Sequence, residues 1–458
     1  MRFKFYFLLI ATMLLTSCNE ELDLQGNSAN SQSISLSPDE YISIAYDDQT
    51  ALTPSEAKQL VLDFGLVDPQ TRSNKNIEVT AISTYSVTDG ANATTRSAST
   101  TIPVYRMEIS TDAGKGLAYV PADKRVAKVI AYLPKVDLND SLKSIGAKAM
   151  LSLSERSIIE EIKHCNKVKD ELRTKTLNKI AKQLAIENVN FDEIKDKIVI
   201  NDEVTSRAKP ENPTGNPVGC AGFFCIDTEW NQDAPYNGLL QKANCDLYNT
   251  GKPSFEAVPA GCAVVAIAQI MASLEPSLTI EGTKIDWKVL KAQKQIFPSF
   301  SWGDSSPEAT RIMVAKLMKY IYEGTGTTPV LNDKGYVTGS GTYSSNTANF
   351  LNRFFNTSGV KKGWDGNAAF QSLQLAKLVW IGVGSDRGGR HAFVLDGFAY
   401  WRPKTRELVK NFDFYFRANM GWGGYYDGFY LVNKDLSISF DTSNGSYYVD
   451  YQMIYNIR

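Results

Sequence analysis

The 458-residue chain contains only two histidines, His164 and His391. Any chemistry that needs an imidazole base therefore has two candidates. Cysteines are also few, six in all, and no two of them form a Cys-x-x-Cys pair. With so few histidines beside them, no zinc or other metal site is expected. Neither sign of charge is in excess, the net charge being −1. Nothing points to nucleic acid or an anionic membrane surface as a partner. Beyond the first residues, no run approaches the roughly 20 apolar residues of a membrane span.

What is present is the material of a globular protein. Hydrophobic residues make up 43% and charged residues 22% of the chain, enough for sizeable cores. At this length two or three domains are expected. The first residues read as a targeting segment. Arg2 and Lys4 form a short basic region, and Phe5 to Leu15 is apolar but too short for a stable anchor. Leu15-Thr-Ser-Cys18 then resembles a bacterial lipobox, with Cys18 as the lipidated residue after cleavage. A plain secretory signal with an incidental Cys18 is the simpler alternative. Both readings place the protein outside the cytoplasm, and the lipobox places it in the cell envelope. Residues 1–17 are thus read as a signal peptide and 18–37, rich in Asn, Ser and Gln, as a flexible tether.

From residue 38 to 205 the pattern is that of a mixed α+β domain. Leu52 to Phe64 reads as a helix with Ser55 as N-cap. Val104–Ile109 and Gly116–Pro121 read as paired strands around a turn, and Val126–Leu133 as another. Residues 152–200 carry apolar residues at helical intervals among many charges, the mark of one or two amphipathic helices. Residues 206–219, with Pro210, Pro213, Pro217, Gly215 and Gly219, read as an exposed linker where proteases cut. From 220 to 458 helices come first and short strands follow. The pattern makes this a second α+β domain with a mostly antiparallel sheet.

Within that domain Cys262 opens an apolar helical run to Leu274, preceded by Gly261. A cysteine at a helix N-terminus sits in the positive end of the helix dipole, which favours thiolate. Far downstream His391 enters the strand-like run Ala392-Phe-Val-Leu395. Taken alone, Cys262 is most simply a small buried hydrophobe, and His391 a satisfied structural histidine. Together they read as a nucleophile and its base. The remaining cysteines, Cys165, Cys220, Cys225 and Cys245, have no assigned chemistry. An oxidising compartment permits a disulfide among the last three, its connectivity left open.

Four stretches carry a family resemblance: Trp230-Asn-Gln-Asp-Ala-Pro-Tyr-Asn237, Gly261-Cys262 with its helix, Gly389-Arg-His391-Ala-Phe-Val-Leu-Asp-Gly397, and Ala418-Asn-Met-Gly-Trp422-Gly-Gly-Tyr-Tyr-Asp-Gly428. In this order they resemble the streptopain family of papain-like cysteine proteases. The resemblance covers about 220–458. A weaker one, in Gly116–Arg125, extends to the family's propeptide domains. It implies a papain-like fold with a helical half and an antiparallel sheet half, preceded by an α+β propeptide domain over 38–205.

The resemblance implies a role for each residue. Cys262 is the nucleophile and His391 its base. Asn419 accepts from the imidazole and fixes its orientation. Gln232 donates its amide to the oxyanion beside the Cys262 N–H. Trp422 covers the Asn–His hydrogen bond. Ser344 and Ser345 match a serine-rich stretch lining the substrate cleft. Two departures stand out: Met420 replaces a tryptophan after the Asn, and Arg390 replaces a glycine before the His. Arg390, a long cation beside the nucleophile, is expected to narrow the cleft or favour an acidic substrate residue.

The expected protein is a lipoprotein zymogen of a cysteine endopeptidase acting on proteins or peptides. Its propeptide is an intramolecular inhibitor, cut free after Arg207. The family also implies an apolar residue two positions before the scissile bond. No cofactor is implied, only reducing conditions that keep Cys262 unoxidised. Two alternatives share the sequence features: an amidase or transpeptidase on cell-wall peptides, and a surface-binding lipoprotein on an inactive protease fold.

Overall fold

A computed structural model describes residues 33–46, 50–65, 77–89, 100–139, 144–201, 219–224, 226–299, 305–385, 389–402, 412–433, 435–438 and 450–458. Cys18, Cys225, Arg207 and nearly all of the expected signal peptide, tether and linker lie outside these residues. The end of the expected tether is a correction. Ile34–Leu36 forms a strand parallel to Ile198–Ile200, because Ile34 and Leu36 alternate onto a buried face.

The expected α+β architecture is present. A long sheet runs in the order Lys361–Lys362, Gln452–Ile457, Leu378–Gly384, Arg390–Trp401, Asp413–Asn419, Gly428–Leu431, Ala131–Leu133, Gly114–Pro121, Thr101–Thr111, Glu78–Thr88. Gly219–Phe224 adds to it beside Arg390–Trp401. Its neighbours pair antiparallel, which alternating runs joined by turns and returns allow. The strand expected over Val126–Leu133 is confined to Ala131–Leu133, because Lys124–Val126 turns as a 3₁₀ segment capped by Asp123.

The chain order suggests two bodies on either side of residues 206–219, yet the sheet passes through both. Phe429 pairs with Tyr132 and Tyr430 with Ala131. The hydrophobic core follows the sheet across this joint. Phe64, fully buried, lies between rings from the downstream segment: Tyr415 at 4.8 Å, Trp401 at 5.1 Å and Phe429 at 6.1 Å. Beside it the buried Lys128 ammonium bridges Glu161 at 2.8 Å and Asp413 at 2.6 Å. One partner is upstream and the other downstream of the linker. The helix carrying Phe64 spans Pro54–Gly65. Its cap is Thr53, not Ser55: the Thr53 hydroxyl accepts from the Glu56 N–H, and Glu56 accepts from the Thr53 N–H. Pro54, with no N–H to satisfy, suits the first helical position.

The charged stretch folds as a single helix of 40 residues, Ile145–Leu184, longer than its charge pattern predicts. Its extra first turns, Ile145-Gly-Ala-Lys-Ala-Met-Leu151, carry one charge, and Gly146, Ala147, Ala149 and Met150 are buried, the last three in the core shared with the downstream sheet. Its far end packs with Ile34, Leu36, Ile44, Ile194, Ile198 and Ile200 in a small separate core. In the downstream half, Cys262–Leu274 is a helix with the expected bounds. It is buried on nearly all sides among Val314, Leu317, Met318, Ile321, Trp380 and Val394. A second, four-stranded sheet, unforeseen in the sequence, joins Lys242–Cys245, Ser254–Ala257, Thr328–Leu331 and Val337–Gly341. It forms one wall of the site described below.

Phe64→Ala should cost about 3–5 kcal/mol, the usual range for emptying a buried phenylalanine site. Chemical denaturation of the full chain checks this. A loss below about 1 kcal/mol would mean that the two segments do not share this core.

Candidate active site

Gly261 ends an extended segment and begins the cysteine helix with φ +90°, a backbone that glycine adopts without strain. A Cβ there would also lie 3.0 Å from the carbonyl oxygen of Ser340. The Ser340 hydroxyl in turn donates to the Pro259 carbonyl at 2.7 Å. The small sheet thus presses the approach to the helix into place and fixes where Cys262 points. Its sulfur lies at the start of the histidine strand, Arg390–Trp401, accepting the Ala392 N–H at 3.2 Å. The residue before Ala392 is His391. Of the two histidines, His164 is elsewhere, exposed on the long helix and hydrogen-bonded to Asp39 at 3.2 Å.

Cys262, His391, Gln232, Arg390 and Trp422 line one cleft of about 470 Å³. Gln232 reaches it because its carbonyl accepts the Ala260 N–H at 2.9 Å, two residues before the cysteine. Trp422 stands edge-on to the imidazole, with ring centroids 5.3 Å apart and planes at 82°. Arg390 sits on the exposed lip with its guanidinium 2.5 Å from the Asp450 carboxylate. Asn231, Tyr248, Ser340, Tyr425 and Asp137 also line the cleft and were not singled out in the sequence. The small-residue run Thr338-Gly-Ser-Gly341 was the available signal for Ser340. Ser344 and Ser345 open the helix Ser344–Leu351, and the serine that lines the cleft is Ser340.

Asn419 requires the larger correction. Its side chain does not meet the imidazole. Oδ1 accepts from Gln269 Nε2 at 2.7 Å and from the Gly421 N–H at 3.0 Å, and Nδ2 donates to the Thr228 carbonyl at 2.9 Å. The acceptor for His391 Nε2 is the main-chain carbonyl of Met420, at 3.0 Å. A carbonyl only accepts, so Nε2 carries the proton and Nδ1 holds the lone pair. Met420, where the family has tryptophan, contributes its backbone here, which any side chain would leave available.

Electrostatics also depart from the expectation of a thiolate. Burial pushes the Cys262 thiol above its ordinary range. The Ala392 N–H, the helix N-terminal N–H groups and the Arg390 cation oppose it and are outweighed. Burial likewise drives His391 down to about 4, against a smaller upward pull from the Met420 carbonyl. At neutral pH this state therefore holds a thiol and a neutral imidazole. Cys245 is a free buried thiol, so a disulfide is not made through it.

The imidazole is buried because the long helix begins on top of it. A Cβ on Gly146 would lie 2.5 Å from His391 Cδ2, 2.9 Å from Met420 Sδ and 3.0 Å from Phe393. Only glycine lets that first turn approach so closely. Further along the joint, Lys135 Nζ donates to the Gly423 carbonyl at 2.8 Å and lies 3.6 Å from Glu229. The Tyr426 N–H donates to the Lys135 carbonyl at 2.9 Å, so the loop carrying Trp422 is held by the upstream segment.

Gly261→Ala should destabilise the fold by about 1–3 kcal/mol, as expected for a strained backbone pressed against a fixed carbonyl. Thermal unfolding of the purified chain measures this. Unchanged or raised stability would contradict the described approach to the helix.

Residues 230–430 match the model of the Peptidase C10 family. No curated protein matches the chain. Among solved structures the chain is similar to a fragment of Prevotella intermedia prointerpain A carrying a Cys-to-Ala substitution. Identity is 18% over 77% of this chain and 95% of that one, with a TM-score of 0.42. It is also similar to active wild-type interpain A cysteine protease from the same organism, at 21% identity over 51% of this chain and 94% of that one, TM-score 0.33. These overall superpositions are weak; the family match rests on the sequence. The family match over residues 230–430 is thus to the streptopain family of cysteine-type peptidases, the family that the sequence motifs resemble.

Proposed function

We propose that the chain is the zymogen of a surface-anchored or secreted endopeptidase and that the upstream segment, residues 38–205, is its inhibitor. The supporting observation is the first turn of the long helix lying on His391. With that turn removed, water reaches the imidazole and the burial that depresses its pKa is relieved. The cysteine and histidine then exchange a proton to give the thiolate–imidazolium pair.

The chemistry follows from the atoms present. His391 Nδ1 takes the thiol proton, and Cys262 Sγ attacks the scissile carbonyl carbon. The oxyanion is held by the Gln232 amide and the Cys262 N–H. The imidazolium returns the proton to the leaving amine, and water then hydrolyses the thioester. Trp422, packed on the imidazole, keeps water from its hydrogen bond to Met420. Arg390 on the lip favours an acidic substrate residue, which must compete with Asp450 for the guanidinium. Lipidation at Cys18 and cleavage after Arg207 belong to the same proposal. Together they anchor the inactive chain in the envelope and free the cut enzyme from its lipid.

Full-length wild type and Cys262→Ala, incubated side by side, test this. The wild type should be processed within residues 203–219 and the variant should stay intact. Wild type that remains uncut and unlabelled by an epoxide-type thiol inhibitor after removal of the upstream segment by an added protease would contradict the proposal. In the released enzyme, Gln232→Ala should lower kcat by about 100- to 1000-fold, the usual cost of losing an oxyanion donor.

Gly146→Val should loosen the inhibitory contact. Overpacking of this kind costs about 1–3 kcal/mol, enough to raise epoxide labelling of the uncut chain by about tenfold. Unchanged labelling of a folded variant would show that the helix start does not control access.

A further inference from the structure

Gln269 is the one polar side chain in the apolar run of the cysteine helix before its last turn, and it is completely buried. It lies seven residues after Cys262, two turns along the same helix. Three hydrogen bonds tie it to the site. Oε1 accepts from the Thr228 hydroxyl at 3.1 Å and from the Trp230 N–H at 3.2 Å. Nε2 donates to Asn419 Oδ1 at 2.7 Å. One amide thus ties together the helix of the nucleophile, the segment leading to Gln232, and the end of the strand leading to Met420.

The last of these ties reaches the base. Asn419 Oδ1 also accepts the Gly421 N–H. That N–H belongs to the same peptide group as the Met420 carbonyl, and the Met420 carbonyl accepts from His391 Nε2. The path is Gln269 amide, Asn419 carbonyl oxygen, Met420–Gly421 peptide, imidazole. Turning either side-chain amide rotates the peptide plane and with it the acceptor for the imidazole. A hydrogen bond at each face of a peptide also polarises it, so its oxygen becomes a better acceptor when its N–H is held.

We propose that Gln269 is a positioning residue for His391, acting through Asn419 and the Met420–Gly421 peptide. It sets the tautomer and direction of the imidazole without touching it. Asn419 then has the orienting role expected for it, at one remove. The inference rests on the peptidase reading for its kinetic consequence, but not for its structural one. The Nε2–H tautomer exists in the uncut chain whether or not that chain ever turns over.

Two readouts test it. First, the chain holds two histidines, so ¹⁵N-histidine labelling of the full-length protein gives two ring systems, and His164→Gln assigns them. At neutral pH wild type should show His391 as the pure Nε2–H form. Gln269→Met, similar in shape but without a donor, should shift it toward a mixture of tautomers. Second, in the released enzyme Gln269→Met should lower kcat by about 10- to 100-fold, the scale of a misdirected catalytic group, with KM changed by less than about twofold. Gln269→Glu keeps the size should the methionine variant fail to fold. Its protonated carboxyl can donate to Asn419 and its ionised form cannot. The wild-type tautomer should therefore be retained at low pH and lost as the carboxyl ionises.

A folded Gln269→Met variant that keeps a pure Nε2–H signal would overturn the inference, and so would one with unchanged kcat beside an active wild type. A Gln269→Glu tautomer independent of pH would do the same. If wild type itself shows no peptidase activity while Gln269→Met changes the tautomer, the positioning role stands and the peptidase reading falls.

Discussion

The start of the cysteine helix must meet the start of the histidine strand, and the rest of the site depends on that junction. The Ala392 N–H donating to Cys262 Sγ at 3.2 Å marks the contact. It joins a helix packed in one core to a strand that borders the other. Residues 262 and 391, far apart along the chain, become neighbours only because both elements are fixed by burial. The helix is apolar on almost every face, so it has no freedom to turn. Gly261, pressed against Ser340, settles its entry. Gln269 settles its rotation from inside, where an unmatched amide would cost about 1–3 kcal/mol for each orphaned group.

Two opposing effects act on the sulfur, and in the proposed release of the upstream segment their balance shifts. Helix N–H groups, the Ala392 amide and Arg390 all favour negative charge. Burial opposes them and dominates while the upstream segment is in place. The same burial holds His391 at about 4, so no cation is available to partner a thiolate. On the proposed reading, inhibition needs no blocking side chain in the nucleophile's path: a helix terminus laid on the base, made possible by the missing Cβ of Gly146, supplies it. The shared sheet and the Phe64 cluster hold that helix down. On that reading, cutting the linker alone would leave these contacts intact, and the upstream segment must also come away.

The five residues brought together at the cleft, Cys262, His391, Gln232, Arg390 and Trp422, stood out in the sequence because each sits in a short, local motif. The bounds of the cysteine helix were legible for the same reason, since a glycine and an apolar run mark them. The antiparallel strands of the downstream half showed in their alternation and turns. Other features leave no local trace. Pairing of Ala131–Leu133 with Gly428–Leu431 is long-range, and neither strand carries a sign of its partner. The first turns of the long helix carry a single charge, Lys148, so the alternation of charged and apolar residues that marks the rest of the helix is missing there. The orienting acceptor for His391 is a main-chain carbonyl, which every residue possesses and no motif can flag. Asn419 stood out in its motif, but its side chain holds Gln269, Thr228 and the Gly421 N–H in place of the imidazole. The lone glutamine in an apolar run was the available clue.

The central claim is that the upstream segment keeps the cysteine and histidine neutral by burial. The pH dependence of Cys262 alkylation, measured on the uncut chain and on the released domain, tests it most directly. In the uncut chain, reaction should be slow at neutral pH and should rise only as the thiol itself ionises, above its ordinary range. In the released domain it should be fast at neutral pH and persist into mild acid, as expected of a thiolate held by an imidazolium. Identical profiles before and after release would contradict the account.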